Sequence, residues 1–253
     1  MTGSRTDNKR RMRLDNTLVV RGLAPSRARA RDAILRGHVI VDGTVAAKPA
    51  QSVPTGAEVA IDDPAGGYVS RSALKLAAAI DHFEFATEGV TALDIGASTG
   101  GFTEVLLERG ARRVYCVDVG HDQLHQRIAD DARIVNLEGV NARDLGAETI
   151  EEPISAIVAD VSFISLKLAL PPSLGLAGNG GWGIFLVKPQ FEVGRDNIGK
   201  GGIVRDKTIA RRAVDDMAGW LEADMGLTVD GIIDSPIAGG DGNQEYLVGA
   251  RRG

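Results

Sequence analysis

Short apolar runs alternate with amphipathic stretches from residue 70 to the end of the chain. The runs predict buried strands over residues 90–95, 113–119, 133–137, 154–159 and 182–187, and two closing strands over 229–234 and 244–250. Apolar positions at helical spacing predict helices over 70–83, 101–109 and 206–225. Strands that alternate with helices form a mostly parallel sheet covered on both faces, so we predict an α/β domain. Ligands of such sheets bind beyond the carboxyl ends of the strands, which makes the residues just after each strand the candidates for chemistry.

The first 61 residues have a less regular pattern. Residues 1–10 are polar and charged, which predicts a disordered leader. A helix is predicted over 11–21, and a second one opens at Pro25-Ser26 and is ended by Gly37. Short strands are predicted at 38–41, 44–46 and 58–61, with turns at 42–43 and 53–56. We therefore predict a small α+β domain over 11–61, a linker over 62–69 where Asp, Pro and Gly accumulate, and the α/β domain over 70–253.

Composition narrows the class of protein. Of the 253 residues, 43% are hydrophobic and 25% are charged, as in a globular protein with a substantial core. The single cysteine, Cys116, excludes a disulfide framework and a multi-thiolate metal site, and no His, Cys and carboxylate cluster indicates a metal. The apolar runs are too short for a transmembrane helix and the polar N-terminus has no signal-peptide pattern, so a cytoplasmic location is expected.

Charge is distributed unevenly along the chain. The formal net charge is −5, but residues 1–61 contain 11 Lys and Arg against 5 Asp and Glu, and the remainder contains 18 against 29. This asymmetry between a basic and an acidic part indicates that the first part binds an anion.

The basic part has a recognisable order of motifs. Residues 13–15 (RLD), 26–30 (SRARA) and 35–43 (LRGHVIVDG) resemble the RNA-binding domain of the small-subunit ribosomal protein S4, which also occurs in RNA-modifying enzymes. The resemblance covers residues 12–61. Guanidinium groups on one helical face match phosphate, so they predict RNA binding through the backbone; the alternative is a solvated charged helix. The candidate RNA-binding residues are Arg13, Arg27, Arg29, Arg31 and Arg36.

A glycine-rich turn follows the first strand of the α/β domain. The sequence of residues 93–102 is LDIGASTGGF, in which a buried strand leads through glycines into a helix. Such a turn lets a ligand approach the backbone closely. It is not the dinucleotide motif G-x-G-x-x-G, because Ser98 stands where the second glycine is required. A carboxylate at Asp94 can accept from an ammonium or a hydroxyl, and Asp118, at the end of the next strand, can accept both hydroxyls of a ribose. The alternative for Asp118 is a helix cap.

This form of the turn resembles the S-adenosylmethionine site of Rossmann-like methyltransferases. The resemblance implies that Asp94, Gly96 and the turn 97–101 hold the methionine end, that Asp118 binds the ribose, and that residues 141–144 flank the adenine. The residues it implies for cofactor binding are Asp94, Gly96, Ala97, Ser98, Thr99, Gly100, Gly101, Phe102, Asp118, Val119, Asn141, Ala142, Arg143 and Asp160.

Four ionisable residues occupy positions that a core would not favour. Lys75 lies on the helix before the first strand, Asp160 and Lys188 each follow a strand, and Glu245 begins the last one. Each alone would be interpreted as a surface charge or an ion-pair member. Together they resemble, in order and context, the Lys-Asp-Lys-Glu tetrad of ribose 2′-O-methyltransferases.

The chemistry of that tetrad suits these residue types. A ribose hydroxyl must lose its proton as it attacks a sulfonium methyl, and a lysine can accept it only as the neutral amine, which desolvation and a second cation favour. We expect Lys188 to be the base, Lys75 the neighbouring cation, and Asp160 and Glu245 the groups that orient the lysines and the hydroxyl. The glycine-rich segment 190–206 is expected either to close over RNA or to be a mobile loop without contacts.

Over residues 12–250 the chain resembles the TlyA family, on motifs that include YVSRS, DVSFISL and VKPQFE. The resemblance implies a Rossmann-like fold with a mostly parallel seven-stranded sheet. It also implies 2′-O-methylation of cytidines in 16S or 23S ribosomal RNA, or both, within ribosomal subunits; the oligomeric state stays open, with a monomer favoured. Three alternatives compete with this function. One is a non-catalytic RNA-binding or ribosome-assembly factor. A pore-forming haemolysin would need a secretion signal and an inserting amphipathic stretch, which are missing, and a nicotinamide dehydrogenase is disfavoured by the glycine spacing.

Overall fold

The structure is a computed structural model that describes residues 10–253. The predicted leader, except for its last residue, lies outside this range. The chain forms two compact units, divided between Gly67 and Tyr68. The elements of the first unit are β1 (Arg11–Arg13), α1 (Leu14–Val20), α2 (Arg27–Leu35), β2 (Val39–Val41), β3 (Thr44–Val45), β4 (Ser52–Pro54) and β5 (Val59–Ile61). They form an antiparallel pair β1-β4 and an antiparallel sheet β3-β2-β5, with Leu14, Leu18 and Ile34 among the core residues.

The start of this unit differs from the sequence prediction. Residues 11–13 were expected to be helical, but they form β1. β4 takes residues 53 and 54 of the turn predicted at 53–56, and residues 55 and 56 form a turn. Met12 lies opposite Val53, whose side chain is almost fully buried. The helix α1 starts only at Leu14, whose N–H donates to the Gln51 carbonyl (2.8 Å). The pairing of β1 with a segment distant in sequence outweighs the local helical spacing, because burial in the tertiary structure overrides weak propensities.

The stretch with linker composition is bonded to the first unit. The Asp62 N–H donates to the His38 carbonyl (3.0 Å), and the Asp63 carboxylate accepts from Arg36 (2.7 and 2.8 Å) and from the Ala65 N–H (2.9 Å). Residues 62–67, which the sequence predicted as part of a linker over 62–69, therefore group with the first unit. Asp62 and Asp63 contribute to the linker composition of this stretch, and both also bond it to the first unit.

The second unit contains a seven-stranded sheet. Its strands are β6 (Thr91–Ile95), β7 (Arg113–Asp118), β8 (Ile134–Glu138), β9 (Ile154–Ala159), β10 (Ala177–Val187), β11 (Leu227–Asp234) and β12 (Tyr246–Arg252), in the order β11-β12-β10-β9-β6-β7-β8. The pairs from β10 to β8 are parallel, and β12 is antiparallel to both its neighbours. The predicted fold class, a mostly parallel seven-stranded α/β sheet beside a small α+β domain, is confirmed.

Helices cover both faces of this sheet. They are α3 (Ala73–Phe83), α4 (Gly101–Glu108), α5 (Gln126–Ala129), α6 (Leu166–Ala169), α7 (Pro171–Gly175), α8 (Pro189–Glu192) and α9 (Lys207–Ala223). One core layer packs α3 and α4 on the sheet, and the other packs α9 on the opposite face. Because parallel strands end at the same edge, the residues after β6, β7, β9 and β10 converge there. The start of β12 meets the same edge because that strand runs in the opposite direction.

Candidate active site

The four tetrad residues predicted from sequence meet at this edge as two ion pairs. Lys75 Nζ, on α3, lies 2.5 Å from Glu245 Oε2, directly before β12, although the two residues are 170 positions apart. Lys188 Nζ, directly after β10, lies 2.6 Å from Asp160 Oδ1, directly after β9. Both lysines and Glu245 are buried. A buried charge without a partner is costly, so each carboxylate compensates one ammonium group.

All four side chains line a single cleft of about 250 Å³. The other walls are the serines and arginine before α3, Ser70–Ser72, and the glycine turn after β6. Lys188 additionally donates a hydrogen bond to Ser162 Oγ at 2.8 Å. The cleft thus presents two lysines, two carboxylates and several hydroxyl groups, which can bind and deprotonate a hydroxyl substrate.

The glycine turn depends on backbone conformations that a side chain would disfavour. Gly96 has φ +82°, and a Cβ atom there would lie 2.7 Å from the Asp160 carbonyl oxygen. Gly100 has φ +90° and begins α4, where a Cβ atom would overlap the Leu124 and Ile128 side chains. Glycine allows the turn to lie directly against the end of β9, so the glycine turn and Asp160 share one wall.

A second cleft, of about 500 Å³, adjoins the first along the carboxyl ends of β6 and β7. Asp118 lies in its wall and accepts from the backbone N–H groups of Ser98 (2.9 Å) and Gly120 (2.8 Å). It therefore fixes the glycine turn rather than capping a helix. Each carboxylate oxygen has a second lone pair, so two hydroxyl groups can still bind. The two clefts share Gly96, Ser98, Asp160 and Ser162.

The residues of the second cleft fit the nucleoside part of S-adenosylmethionine. Its walls are mostly apolar, with Val119, Val140, Ala142 and Phe163 as flat or branched surfaces, and the carboxylates among them are Asp118 and Asp160. A purine requires apolar walls and a ribose requires a carboxylate acceptor. The glycine turn at the inner end of this cleft has no room for a Cβ atom at Gly96.

Most predicted cofactor residues line these two clefts, but four do not. Ala97, Thr99 and Phe102 line the first cleft, and Val119, Asn141 and Ala142 line the second. Gly100 and Gly101 are buried in the turn, and Arg143 is exposed outside both clefts. The Asn141 side-chain oxygen accepts from the Arg143 N–H (3.1 Å) and Nε (3.2 Å), so it caps the short 3-10 turn there. The residues lining neither cleft are Asp94, Gly100, Gly101 and Arg143.

Asp94 has a different position from the one expected. Its side chain is completely buried beneath the glycine turn, and Oδ2 accepts from Thr103 Oγ1 at 2.7 Å. Burial raises its pKa to about 7, and the charges of Asp160 and Asp118 act in the same direction. The side chain connects β6 to α4 beneath the glycine turn, and its contact with the methionine end stays a prediction.

The arginines predicted to bind RNA divide into two groups. Arg36 is mostly buried, and it donates to Asp32 (2.9 Å) and to both oxygens of Asp63, so it is an internal ion-pair residue, and its contact with RNA stays a prediction. Arg29 donates to the Ala65 carbonyl and is half-buried.

The others are exposed on the first unit. Arg13 and Arg27 both contact the buried carboxylate of Asp15, at 2.7 and 3.3 Å, and the hydrogen bond from Arg13 is the main cause that lowers the Asp15 pKa to about 2. Arg31 projects from α2 and is exposed. Arg13, Arg27 and Arg31 thus remain the candidates for phosphate contacts.

Comparisons with known proteins match both units. The S4 domain model matches residues 12–59, and the FtsJ-like methyltransferase model matches residues 68–252. The 16S/23S rRNA (cytidine-2′-O)-methyltransferase TlyA of Mycobacterium tuberculosis is 45% identical over 243 residues, which are 96% of this chain and 90% of that protein. This chain belongs to the TlyA family. The resemblance predicted from the sequence is therefore confirmed, and the TlyA family is a family of methyltransferases, which implies S-adenosylmethionine as the methyl donor.

Two further proteins, both named as hemolysins, are similar to nearly the whole chain. Hemolysin A of Brachyspira hyodysenteriae is 39% identical over 93% of this chain and 98% of its own length. A solved structure from Streptococcus thermophilus is 38% identical, with a TM-score of 0.75 over 96% of this chain and 88% of that one. Among residues 10–253 of this TlyA-family chain, no helix has the length and apolarity needed to cross a membrane.

Sequence reasoning missed several residues of the site in this TlyA-family protein. Ser162 and Phe163 lie in the loop after Asp160, and Gln123 lies after β7; none of them was a candidate. The rule that residues after strands line the ligand site covers these positions, but no charge or glycine there singles them out. The motif DVSFISL was recognised as a family feature without a role for its serine and phenylalanine.

Proposed function

We propose that this chain transfers a methyl group from S-adenosylmethionine to the ribose 2′-hydroxyl of cytidine in ribosomal RNA, acting on 16S or 23S RNA, or both, within ribosomal subunits. The observation that carries the proposal is the junction of the two clefts at Asp160 and Ser162. It brings a nucleoside-sized cleft beside two lysine–carboxylate pairs. The RNA and the cytidine specificity are supported by the function of the M. tuberculosis relative and by the S4 domain.

The proposed mechanism assigns one task to each pair. S-adenosylmethionine, when bound, supplies an electrophilic methyl group on a sulfonium and leaves as the neutral thioether. Lys188, after its ammonium group has released a proton to solvent, accepts the proton of the 2′-hydroxyl while the ribose oxygen forms its bond to the methyl carbon. Asp160, 2.6 Å from Lys188 Nζ, stabilises the ammonium group that results.

Lys75 and Glu245 act on the other side of the cleft. Their ion pair is buried and short, so both side chains are held in one orientation. We assign them to hold the ribose hydroxyl in line with the methyl group. Much of the rate enhancement then comes from positioning, because an aligned acceptor avoids the entropy cost of encounter.

The experiment that tests this function measures transfer of labelled methyl from S-adenosylmethionine to purified small subunits, large subunits and naked ribosomal RNA. Label in RNA that makes one linkage resistant to alkaline cleavage would support the proposal and identify the nucleotide. Absence of label in every RNA, with cofactor binding intact, would contradict it and favour a non-catalytic assembly factor.

A variant of the base is the internal control. Lys188→Ala is expected to lose transfer by at least about 100-fold, the order that a general base contributes, while the Kd for S-adenosylmethionine, measured by calorimetry, changes little. Lys188 lines the first cleft and not the nucleoside cleft, which is why the two readouts separate. Equal activity in the variant would remove Lys188 from its assigned role.

A further inference from the structure

Ser162 is the residue of the site whose contact with the tetrad has no assigned purpose. Its Oγ accepts a hydrogen bond from Lys188 Nζ at 2.8 Å, and it is exposed at the junction of the two clefts. Lys188 itself is buried. Among residues 10–253, Lys188 Nζ donates its hydrogen bond to Ser162 and forms its ion pair with Asp160.

The two contacts of Lys188 differ in what they can control. An ion pair depends mainly on distance and tolerates rotation of the ammonium group, but a hydrogen bond fixes the direction of one N–H bond. A neutral amine has two N–H bonds and one lone pair in a tetrahedral arrangement. With one N–H held on Ser162 Oγ and with Asp160 Oδ1 2.6 Å away, two of the three directions around Lys188 Nζ are taken up, and the third is available to the lone pair in the cleft that Lys188 lines.

The loop that carries Ser162 is held at both ends. On one side the Asp160 N–H donates to the Ile95 carbonyl at 2.9 Å. On the other side Glu192, on α8, accepts from Ser165 Oγ (2.5 Å) and from the Leu166 N–H (2.9 Å). The same α8 follows Lys188 directly, so Ser162 and Lys188 are attached to one framework.

A strained residue next to Ser162 also indicates that the loop is held in place. Phe163 has φ +66°, a left-handed conformation that is unfavourable for a bulky side chain, and its ring lies 5.3 Å from that of Phe191 on α8. Such a conformation persists only where the surroundings enforce it. The serine is therefore placed by the fold rather than by chance mobility of an exposed loop.

From this geometry we propose that Ser162 is a positioning residue that directs the Lys188 amine towards the ribose hydroxyl. The inference rests on the proposed methyl transfer, which it extends by one residue. After transfer, the same oxygen stays an acceptor for the Lys188 ammonium group, so the contact persists in both protonation states.

The test compares Ser162→Ala, which removes the acceptor, with Ser162→Thr, which keeps a hydroxyl at the same position. Single-turnover methyl transfer to the ribosomal substrate should fall about 10- to 100-fold in Ser162→Ala, because a misdirected base loses alignment. Ser162→Thr should recover most of that loss. The Kd for the RNA substrate should stay within about twofold in both variants. Because Ser162 also lines the nucleoside cleft, the Kd for S-adenosylmethionine is measured alongside, and any loss of cofactor affinity should be much smaller than the loss of rate.

Three results would overturn the proposal. They are a wild-type rate in Ser162→Ala, a Ser162→Thr variant as slow as Ser162→Ala, or a rate loss matched by an equal loss of cofactor or RNA affinity. The last would make Ser162 a ligand-binding residue instead.

A measurement without turnover separates this proposal from the proposed function. The ¹⁵N resonance of Lys188 Nζ, assigned by its loss in Lys188→Arg, should move in Ser162→Ala and return in Ser162→Thr. If the wild-type protein methylates no RNA, the function fails, and this resonance still decides whether Ser162 holds Lys188. An unmoved resonance in Ser162→Ala overturns the positioning role.

Discussion

Gly96 shows how a single residue joins the two clefts. It lies between the end of β6 and the end of β9, and its backbone occupies the space that a side chain would need against the Asp160 carbonyl. The glycine is therefore required twice, for its positive φ and for the close approach. Asp160, the residue it contacts, lines both clefts, so displacement of Gly96 affects cofactor and tetrad together.

Two alanine substitutions separate the requirement for a positive φ from the requirement for space. Gly96→Ala is expected to destabilise the protein by about 2 kcal/mol or more and to weaken S-adenosylmethionine binding at least tenfold, because the Cβ atom must displace Asp160. Gly89→Ala is the matched control: Gly89 has φ +72° but open space around its Cβ position. It should lose about 1 kcal/mol of stability and keep its cofactor affinity. Thermal unfolding and calorimetric titration measure both, and equal affinity losses in the two variants would contradict the close-contact argument.

At the scale of elements, α2 is attached to the segment after β5 by charge. Arg36, at the end of α2, donates to Asp32 on its own helix and to Asp63 beyond the last strand. Burial alone would raise the pKa of Asp63, but the hydrogen bonds from Arg36 and the Ala65 N–H outweigh it and hold that pKa below its ordinary value. The Asp63 carboxylate therefore stabilises the folded state above about pH 4, and this contribution is lost as the pH falls through the lower folded pKa.

Removal of this ion pair should be measurable in the first unit. Arg36→Ala is expected to cost about 2–3 kcal/mol, because it leaves the nearly buried Asp63 carboxylate without its main partner. Arg31→Ala, an exposed position on the same helix, should change stability by less than about 0.5 kcal/mol. Chemical denaturation at pH 7 compares them, and the difference between Arg36→Ala and the wild type should shrink below pH 4. A difference that persists unchanged at acid pH would argue against the ion pair.

The strands and helices differ in how well the sequence predicts them. The strands β6, β7, β9 and β10 and the helix α9 were located within about five residues, because runs of five or more residues carry a clear period. Among the short strands, β2 and β5 were located, whereas β1 was hidden by the helical spacing of residues 12–19 and β4 by the turn composition of residues 53–56. Asp160 and Lys188 could be predicted as neighbours since strand ends converge. Ser162 could not, because only the turn after Asp160 decides that its hydroxyl faces Lys188.

At the scale of the whole molecule, the two units have opposite charge. The basic part precedes the acidic methyltransferase unit, so attraction to an RNA backbone is expected to reside mainly in the first unit. The structure reduces the candidate set to arginines that are exposed there. This separation means that RNA affinity and cofactor affinity should vary independently.

A pair of charge-matched variants tests that independence. Arg27→Gln combined with Arg31→Gln should weaken RNA binding and reduce the slope of log K against log salt by about 0.7–0.9 for each phosphate that the protein no longer neutralises. The control combines Arg211→Gln with Arg212→Gln, two exposed residues on α9, and should leave the slope nearly unchanged. Filter binding across a salt series measures both, with S-adenosylmethionine affinity constant throughout. Equal slopes in the two double variants would place the RNA-binding surface elsewhere.

The ion pair between Lys75 and Glu245 has a consequence for how the enzyme folds. It closes a chain loop of 170 residues, and Glu245 reaches the edge of the sheet only after β12 has inserted between β10 and β11. The nucleoside cleft, by contrast, is built from the consecutive stretch of chain around β6 to β9. Contacts between distant residues form late in folding because loop closure must first be overcome. Assembly of the tetrad, and with it reactivity toward the acceptor, therefore depends on the last strand of the chain, whereas the nucleoside cleft does not.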